Sequence, residues 1–145
     1  MKQIEILLVE DNEGDIMLIT EALEEGKVVN SLNVTRDGEK AIDYLEKRGI
    51  YKNAPTPDLM ILDVNLPRKN GHEVLEYVKE SEHLKHIPVI MLTTSSSEND
   101  IIKSYKNHAN CYITKPIESL DFIHAVTSIE QFWISLVQLP KNINT

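Results

Sequence analysis

Three unbroken apolar runs constrain this chain more than any other feature: Ile6-Leu7-Leu8-Val9, Leu59-Met60-Ile61-Leu62 and Val89-Ile90-Met91-Leu92. A strand with one wet face alternates apolar and polar residues. Runs without alternation therefore mark strands covered on both faces, as in a parallel sheet sandwiched between helices. Two weaker strand candidates, Leu32 to Arg36 and Cys111 to Thr114, bring the count to five. Helical patterns fill the gaps. Ile16, Ile19 and Leu23 share one face of a helix ending near Gly26, and Ala41, Ile42 and Leu45 mark a second that stops by Gly49. Val74, Leu75 and Val78 mark a third, bounded by Pro88, and Ile101, Ile102 and Tyr105 mark a fourth. The fifth starts near Glu118 and extends toward Leu139, where Pro140 stops it. Five strand-helix alternations predict an α/β fold with a parallel sheet and right-handed crossovers.

Length and charge narrow the function. The 145 residues suit one domain with a sizeable core. Fifteen Lys and Arg against 23 Asp and Glu give a net charge of -8, which argues against sequence-independent binding to nucleic acid or to an anionic membrane surface. A single cysteine, Cys111, cannot form an internal disulfide. The first apolar run ends after four residues at an acidic pair, too short for a signal peptide, and no stretch approaches the ~20 residues of a membrane span. A cytoplasmic protein is expected. Residues 46–58, EKRGIYKNAPTPD, read as a long loop, either a plain surface connection or a partner contact.

The acids at the strand ends carry the chemistry. Glu10 and Asp11 follow the first run, and Asp63 follows the second. In an open parallel sheet, functional groups gather beyond the carboxyl ends of the strands, where strand order reverses. If these strands are neighbours, three carboxylates converge, and like charges ~4 Å apart repel by ~4 kcal/mol per pair at an effective dielectric of ~20. A hard divalent cation offsets that repulsion, and Mg²⁺ suits a site with few carboxylates, retained waters and a phosphate. Thr93 closes the next strand, and Lys115 follows the last one, before Pro116. A hydroxyl and an ammonium group bind phosphoryl oxygens, and the carboxylate between them can attack phosphorus to form an aspartyl phosphate.

The segments LLVEDN, LMILDVNLPRKNG, VIMLTT and YITKP resemble the receiver domain of two-component response regulators over roughly residues 4 to 127. That resemblance implies a flavodoxin-like, doubly wound, five-stranded parallel sheet in the order 2-1-3-4-5 with helices on both faces. It implies Asp63 as phosphoacceptor, and Glu10 and Asp11 as the acid pair, with Asp11, Asp63 and the backbone carbonyl of Asn65 binding Mg²⁺. By the same likeness Thr93 and Lys115 contact the phosphoryl group, and Thr93 couples to Tyr112 as an aromatic switch. A phosphoryl group would draw the Thr93 hydroxyl inward and open space for Tyr112 to turn, a population shift between two packed states. Two positions depart from the family. Glu10 stands where aspartate is commoner, and Thr94 stands where a smaller residue is common, so narrower access for water implies slow self-dephosphorylation.

GIYKNAPTPDLMILDVNLPRKNG, TTSSSENDI and FWISLVQLP further resemble stand-alone regulators paired with bacterial phytochrome histidine kinases. That likeness implies a kinase partner carrying a phosphohistidine. The chain divides into a receiver unit, 1–127, and a helix extension with a polar tail, 128–145. Phe122, Val126, Ile129, Trp133 and Val137 form an apolar stripe widened by Ala125, Phe132 and Leu136, broader than the ~100° a core-facing surface helix needs. Its second half extends past the sheet, which predicts a homodimer through Phe132, Trp133 and Leu136, against an intrachain fold-back. With no output domain in the sequence, the expected output is protein contact, or a role as a relay or phosphate sink.

Rival readings remain at this level. An aspartate-nucleophile phosphatase would carry a second aspartate where Asn65 stands. A flavin carrier would not place Glu10 and Asp11 against a nucleotide phosphate. A phosphorylation-independent docking scaffold is the serious alternative. His83 and His86 read as helix-end polar residues, His72, His108 and His124 as surface or packing residues, and Arg68 and Lys69 as a solvated basic pair.

Overall fold

The computed structural model of the protein describes residues 3–26, 30–94, 108–109 and 111–129. Five parallel strands form one sheet: β1 (Ile4–Val9), β2 (Asn30–Thr35), β3 (Leu59–Asp63), β4 (Val89–Thr93) and β5 (Cys111–Thr114), in the spatial order β2-β1-β3-β4-β5. Between them lie helices α1 (Glu13–Glu25), α2 (Gly38–Leu45) and α3 (Gly71–Glu80), and residues 119–129 are helical after β5. The doubly wound order expected from the resemblance is the one observed. The fourth helical pattern, Ile101 to Tyr105, and the dimer candidates Phe132, Trp133 and Leu136 lie outside the described residues.

Burial explains why three strands were plain in the sequence and two were faint. Every residue of β3 and β4 is buried, and only Glu5 of β1 is partly exposed. β2 and β5 are the edges of the sheet, and all but one of their residues are half-buried or exposed. Edge strands need fewer apolar side chains, so their sequence signal is weaker.

Strand alternation splits the core into two layers. Leu7, Val9, Met60, Leu62 and Met91 face α2 and α3. Ile6, Leu8, Ile61, Ile90 and Leu92 face α1 and the helical residues after β5, which contribute Phe122 and Val126. Ile123 lies directly against Gly26, so the final helical stretch packs on the end of α1. The first half of the apolar stripe is thus consumed by the core.

Short connections at the carboxyl edge fix the helix starts. Asn12 caps α1 by accepting from the Asp15 N–H at 2.9 Å, and Asp37 caps α2 by accepting from the Lys40 N–H at 2.8 Å. α3 begins with a capping box, in which Asn70 and Glu73 each accept from the other's backbone N–H. The loop before it is tightly held. A Cβ on Gly38 would lie 1.9 Å from the Lys69 carbonyl oxygen, and one on Gly71 would lie 2.2 Å from that of Asp63. Only glycine permits both approaches.

The long loop is anchored. Gly49–Tyr51 forms a turn of 3₁₀ helix, and the Tyr51 ring meets Tyr44 edge-on with centroids 5.4 Å apart. His83 and His86 are exposed and fall in the turn beyond α3, where His83 Nε2 and Glu46 Oε1 are 2.6 Å apart. Arg68 is not simply solvated: its guanidinium lies 3.7 Å from the Asp37 carboxylate and 3.9 Å from that of Glu39.

Candidate functional site

The register of the sheet brings the sequence-separated acids together. Val9 pairs with Leu62, so the residues that follow, Glu10 and Asp63, emerge side by side at the carboxyl edge. Thr93 closes β4 beside Thr114, and the Lys115 N–H donates to the Thr93 carbonyl at 2.6 Å. Alternation assigns sides. Glu10, Asp63 and Lys115 continue the alternation that faces α1, whereas Thr93 continues the one that faces α2 and α3.

Glu10, Asp11 and Asp63 each offer a carboxylate oxygen within 4.8 Å of the others. Glu10 and Asp63 are buried and Asp11 is exposed. Three hard oxygens, one of them open to water, match the donors that Mg²⁺ or Mn²⁺ takes and leave room for retained water. The longer side chain of Glu10 bends back on its own loop. Its Oε2 accepts from the backbone N–H groups of Asp11 at 3.1 Å and Asn12 at 3.2 Å, while Oε1 accepts from Lys115 at 2.7 Å.

Lys115 organises the anions. Its ammonium donates to Glu10 Oε1, to Asp15 Oδ2 at 2.8 Å and to Asp63 Oδ2 at 3.1 Å. Each such contact is worth roughly 5–6 kcal/mol of gross Coulomb attraction at an effective dielectric of ~20, much of it spent on desolvation. Burial pulls the Lys115 ammonium toward deprotonation, but the hydrogen bonds to Asp15 and Glu10 and the charges of Asp63 and Glu10 outweigh it, and its pKa is raised. Burial, together with hydrogen bonding and repulsion from Asp63, lifts the Glu10 carboxyl to about 7 against the pull of Lys115.

Asp63 Oδ1 accepts from the Asn65 backbone N–H at 3.0 Å. Asn65 itself is exposed, and its side-chain amide donates to the Thr94 hydroxyl at 3.3 Å, so these two residues border the carboxylate. Thr93 is fully buried, and Tyr112 is half-buried on β5 in register with Met91, packed against the core layer that faces α2 and α3. Thr93 and Tyr112 therefore share a face of the sheet. Cys111 points to the other layer, half-buried, and burial raises its thiol pKa.

Every strand-end residue singled out from the sequence and described here lies at this one edge. Asp15 was missed. It is an α1 residue, not a strand-end residue, and the one available signal was an acid four positions after Asp11 in a first helical turn, which the helix dipole alone would explain.

Known proteins share both sequence and fold. Residues 6–127 match the family described as response regulator receiver domain. Response regulator Rcp1 of Synechocystis sp. is 46% identical over 135 residues, covering 93% of this chain and 92% of Rcp1. The phosphorylated cyanobacterial phytochrome response regulator RcpA superposes with a TM-score of 0.80 at 47% identity, over 93% of this chain and 96% of RcpA. The Mn²⁺-bound form of Rcp1 gives a TM-score of 0.78 at 45% identity, over 90% of this chain and 94% of that structure.

Proposed function

The chain belongs to the response regulator receiver family, and from that premise we propose that it is a signalling switch whose phosphoacceptor is Asp63. One observation carries the reading. The buried Asp63 carboxylate has an ammonium group 3.1 Å from one oxygen and two further carboxylates within 4.8 Å. That is a nucleophile held between a phosphoryl-binding cation and a metal-ligating set.

The transfer is a displacement at phosphorus. An Asp63 oxygen forms the new P–O bond as the P–N bond of a phosphohistidine breaks, and the bonding pair stays on the imidazole nitrogen, which takes a proton from water. Lys115 moves from Asp63 Oδ2 to a phosphoryl oxygen, and the Thr93 hydroxyl donates to another. Asp11, Asp63 and the Asn65 carbonyl would hold Mg²⁺, with Glu10 behind them, and the bound ion neutralises charge on the transferring oxygens. With Thr93 drawn toward the phosphoryl group, Tyr112 on the same face gains room to turn inward.

The partner reading follows from kinship. Identity of 46–47% over more than nine-tenths of both chains, to Rcp1 and to the phytochrome response regulator RcpA, supports a phytochrome-type histidine kinase as phosphodonor. The net charge of -8 argues against a sequence-independent nucleic-acid surface, and no helix among the described residues is long and apolar enough to cross a membrane. Residues 1–127 form the receiver unit, and 128–145 extend it. Because Phe122 and Val126 are spent on the core, the later stripe residues Phe132, Trp133 and Leu136 are assigned to a homodimer interface.

Transfer of labelled phosphate from phosphorylated candidate kinases tests the site. Wild type should be labelled with Mg²⁺ present, and Asp63→Asn should not. Equal labelling of the two would contradict the acceptor assignment, and no labelling of wild type by any donor would favour a docking scaffold.

A further inference from the structure

Asp15 sits where neither strand alternation nor the acid pair explains it. Its backbone N–H is fixed by the Asn12 cap at 2.9 Å, which places the side chain at the start of α1 facing the sheet edge. Its Oδ2 takes a proton of Lys115 at 2.8 Å, closer than Asp63 does at 3.1 Å. An ammonium group has three protons. Glu10, Asp15 and Asp63 use all three, so a phosphoryl oxygen that is to bind Lys115 must displace one of them.

The three acceptors differ in how readily they let go. Glu10 is fully buried, and its second oxygen is committed to two backbone N–H groups. Asp63 is the group that carries the phosphoryl. Asp15 is the most exposed of the three, at 20% of its side-chain surface, so water can solvate its carboxylate when Lys115 leaves.

We propose that Asp15 is a positioning residue that competes with the phosphoryl group for Lys115. It rests on the reading of Asp63 as phosphoacceptor and Lys115 as phosphoryl partner. Before transfer, Asp15 shares the ammonium with Asp63 and so weakens its hold on Asp63 Oδ2, an oxygen that a divalent cation would also use. After transfer, it competes with the phosphoryl oxygens for the ammonium. Its removal therefore acts with opposite signs on two steps: metal binding to the unphosphorylated site weakens, and phosphoryl binding tightens. A residue that merely supported α1 would weaken both.

The test is a double-mutant cycle on the full chain, with Asp15→Asn in the wild-type and Lys115→Gln backgrounds. Mg²⁺ affinity is read by NMR titration of backbone amides. Affinity for beryllofluoride at saturating Mg²⁺, read by ¹⁹F NMR, reports the phosphoryl state. With Lys115 present, Asp15→Asn should weaken Mg²⁺ and tighten beryllofluoride, each by up to about tenfold, the scale of one charge-assisted hydrogen bond in competition with water. With Lys115→Gln, both effects should fall below about twofold, since only the distant charge change remains. Unaltered or weakened beryllofluoride binding in Asp15→Asn overturns the proposal, as do effects that persist at full size in Lys115→Gln. In those cases wild type still takes beryllofluoride, and the Asp63 reading stands. Failure of wild type to bind beryllofluoride at all overturns the Asp63 reading and this inference with it.

Discussion

Gly71→Ala joins the stability of the fold to the geometry of the site. Gly71 is the first residue of α3, where alanine is intrinsically favoured over glycine by up to about 1 kcal/mol. Helix propensity alone thus predicts a more stable protein. The surroundings predict the opposite. A Cβ at Gly71 would lie 2.2 Å from the Asp63 carbonyl oxygen and 2.7 Å from the Val64 Cα. Reaching an ordinary contact of about 3.4 Å needs a shift of roughly 1.2 Å, and the atoms in the way are backbone, which cannot rotate aside as a side chain would. They are also tied down. The Gly71 N–H donates to the Val64 carbonyl at 2.9 Å, and the Val64 N–H donates to the Leu92 carbonyl at 2.8 Å. The expected cost is about 3 kcal/mol, at the upper end of the range for overpacking. For a chain of this size that corresponds to a fall of roughly 6–12 °C in Tm. Displacement of Asp63 should weaken Mg²⁺ binding in parallel. Gly14→Ala is the control. It also lies in a first helical turn, but its nearest obstacle is the Asn12 side-chain oxygen at 3.2 Å, so its effect should stay within about 0.5 kcal/mol. Calorimetry and urea titration of the three proteins decide the matter. A Gly71→Ala protein that melts with wild type, or above it, would refute the close approach behind Asp63.

The other predictions are simpler. Thr94→Ala should shorten the aspartyl-phosphate lifetime, because it removes the hydroxyl that accepts from Asn65 at 3.3 Å beside Asp63; decay followed by loss of label checks this, and an unchanged lifetime removes the argument. Burial raises the Glu46 carboxyl, but hydrogen bonds from His83 and Tyr77 and the charges of His83 and Arg48 outweigh it and hold the pKa below its ordinary 4.5. Stability from this carboxylate is therefore present above pH 4.5 and is lost as pH falls through the lowered folded value. His83→Ala should cost less than about 1 kcal/mol near pH 6 and much less below the folded pKa, as urea midpoints at several pH values would register. Light scattering should find a dimer for wild type and a monomer for Phe132→Asp/Trp133→Asp; a monomeric wild type ends that assignment.

What the sequence revealed followed burial. β1, β3 and β4 are covered on both faces and announced themselves as apolar runs, whereas the edge strand β2 starts at Asn30, two residues before the Leu32 read from pattern alone. Its polar residues Asn30, Ser31 and Asn33 are tolerated because this edge strand is only half-buried. Strand-end acids were legible because a parallel sheet puts all its carboxyl ends on one edge, and that rule needs no knowledge of register. Asp15 was not legible, since its partner Lys115 is 100 residues away and the contact depends on how α1 leaves the Asn12 cap. Arg68 is largely solvated, as read, but its ion pairs could not be read from the sequence. Its partners are Asp37, the N-cap of α2, and Glu39 in the first turn of α2, which the glycine contact at Gly38 brings against the loop.

The division of the site between two faces of the sheet bears on how a switch of this kind transmits anything. Glu10, Asp63 and Lys115 belong to the α1 side, while Thr93 and Tyr112 belong to the side that packs on α2 and α3. A phosphoryl group on Asp63 stands at the rim, the one place where both sides are in reach. Lys115 answers it from one face and, under the proposed function, Thr93 answers from the other. The two responses are mechanically joined, because the Lys115 backbone N–H is bonded to the Thr93 carbonyl at 2.6 Å. Under the proposed function, the Lys115 ammonium and the Thr93 hydroxyl thus respond from two strands that this hydrogen bond joins. β5 is an edge strand of the described sheet, and none of its residues is fully buried. Under the proposed function, Tyr112 on this strand is where a change of charge at the rim is turned into a change of shape.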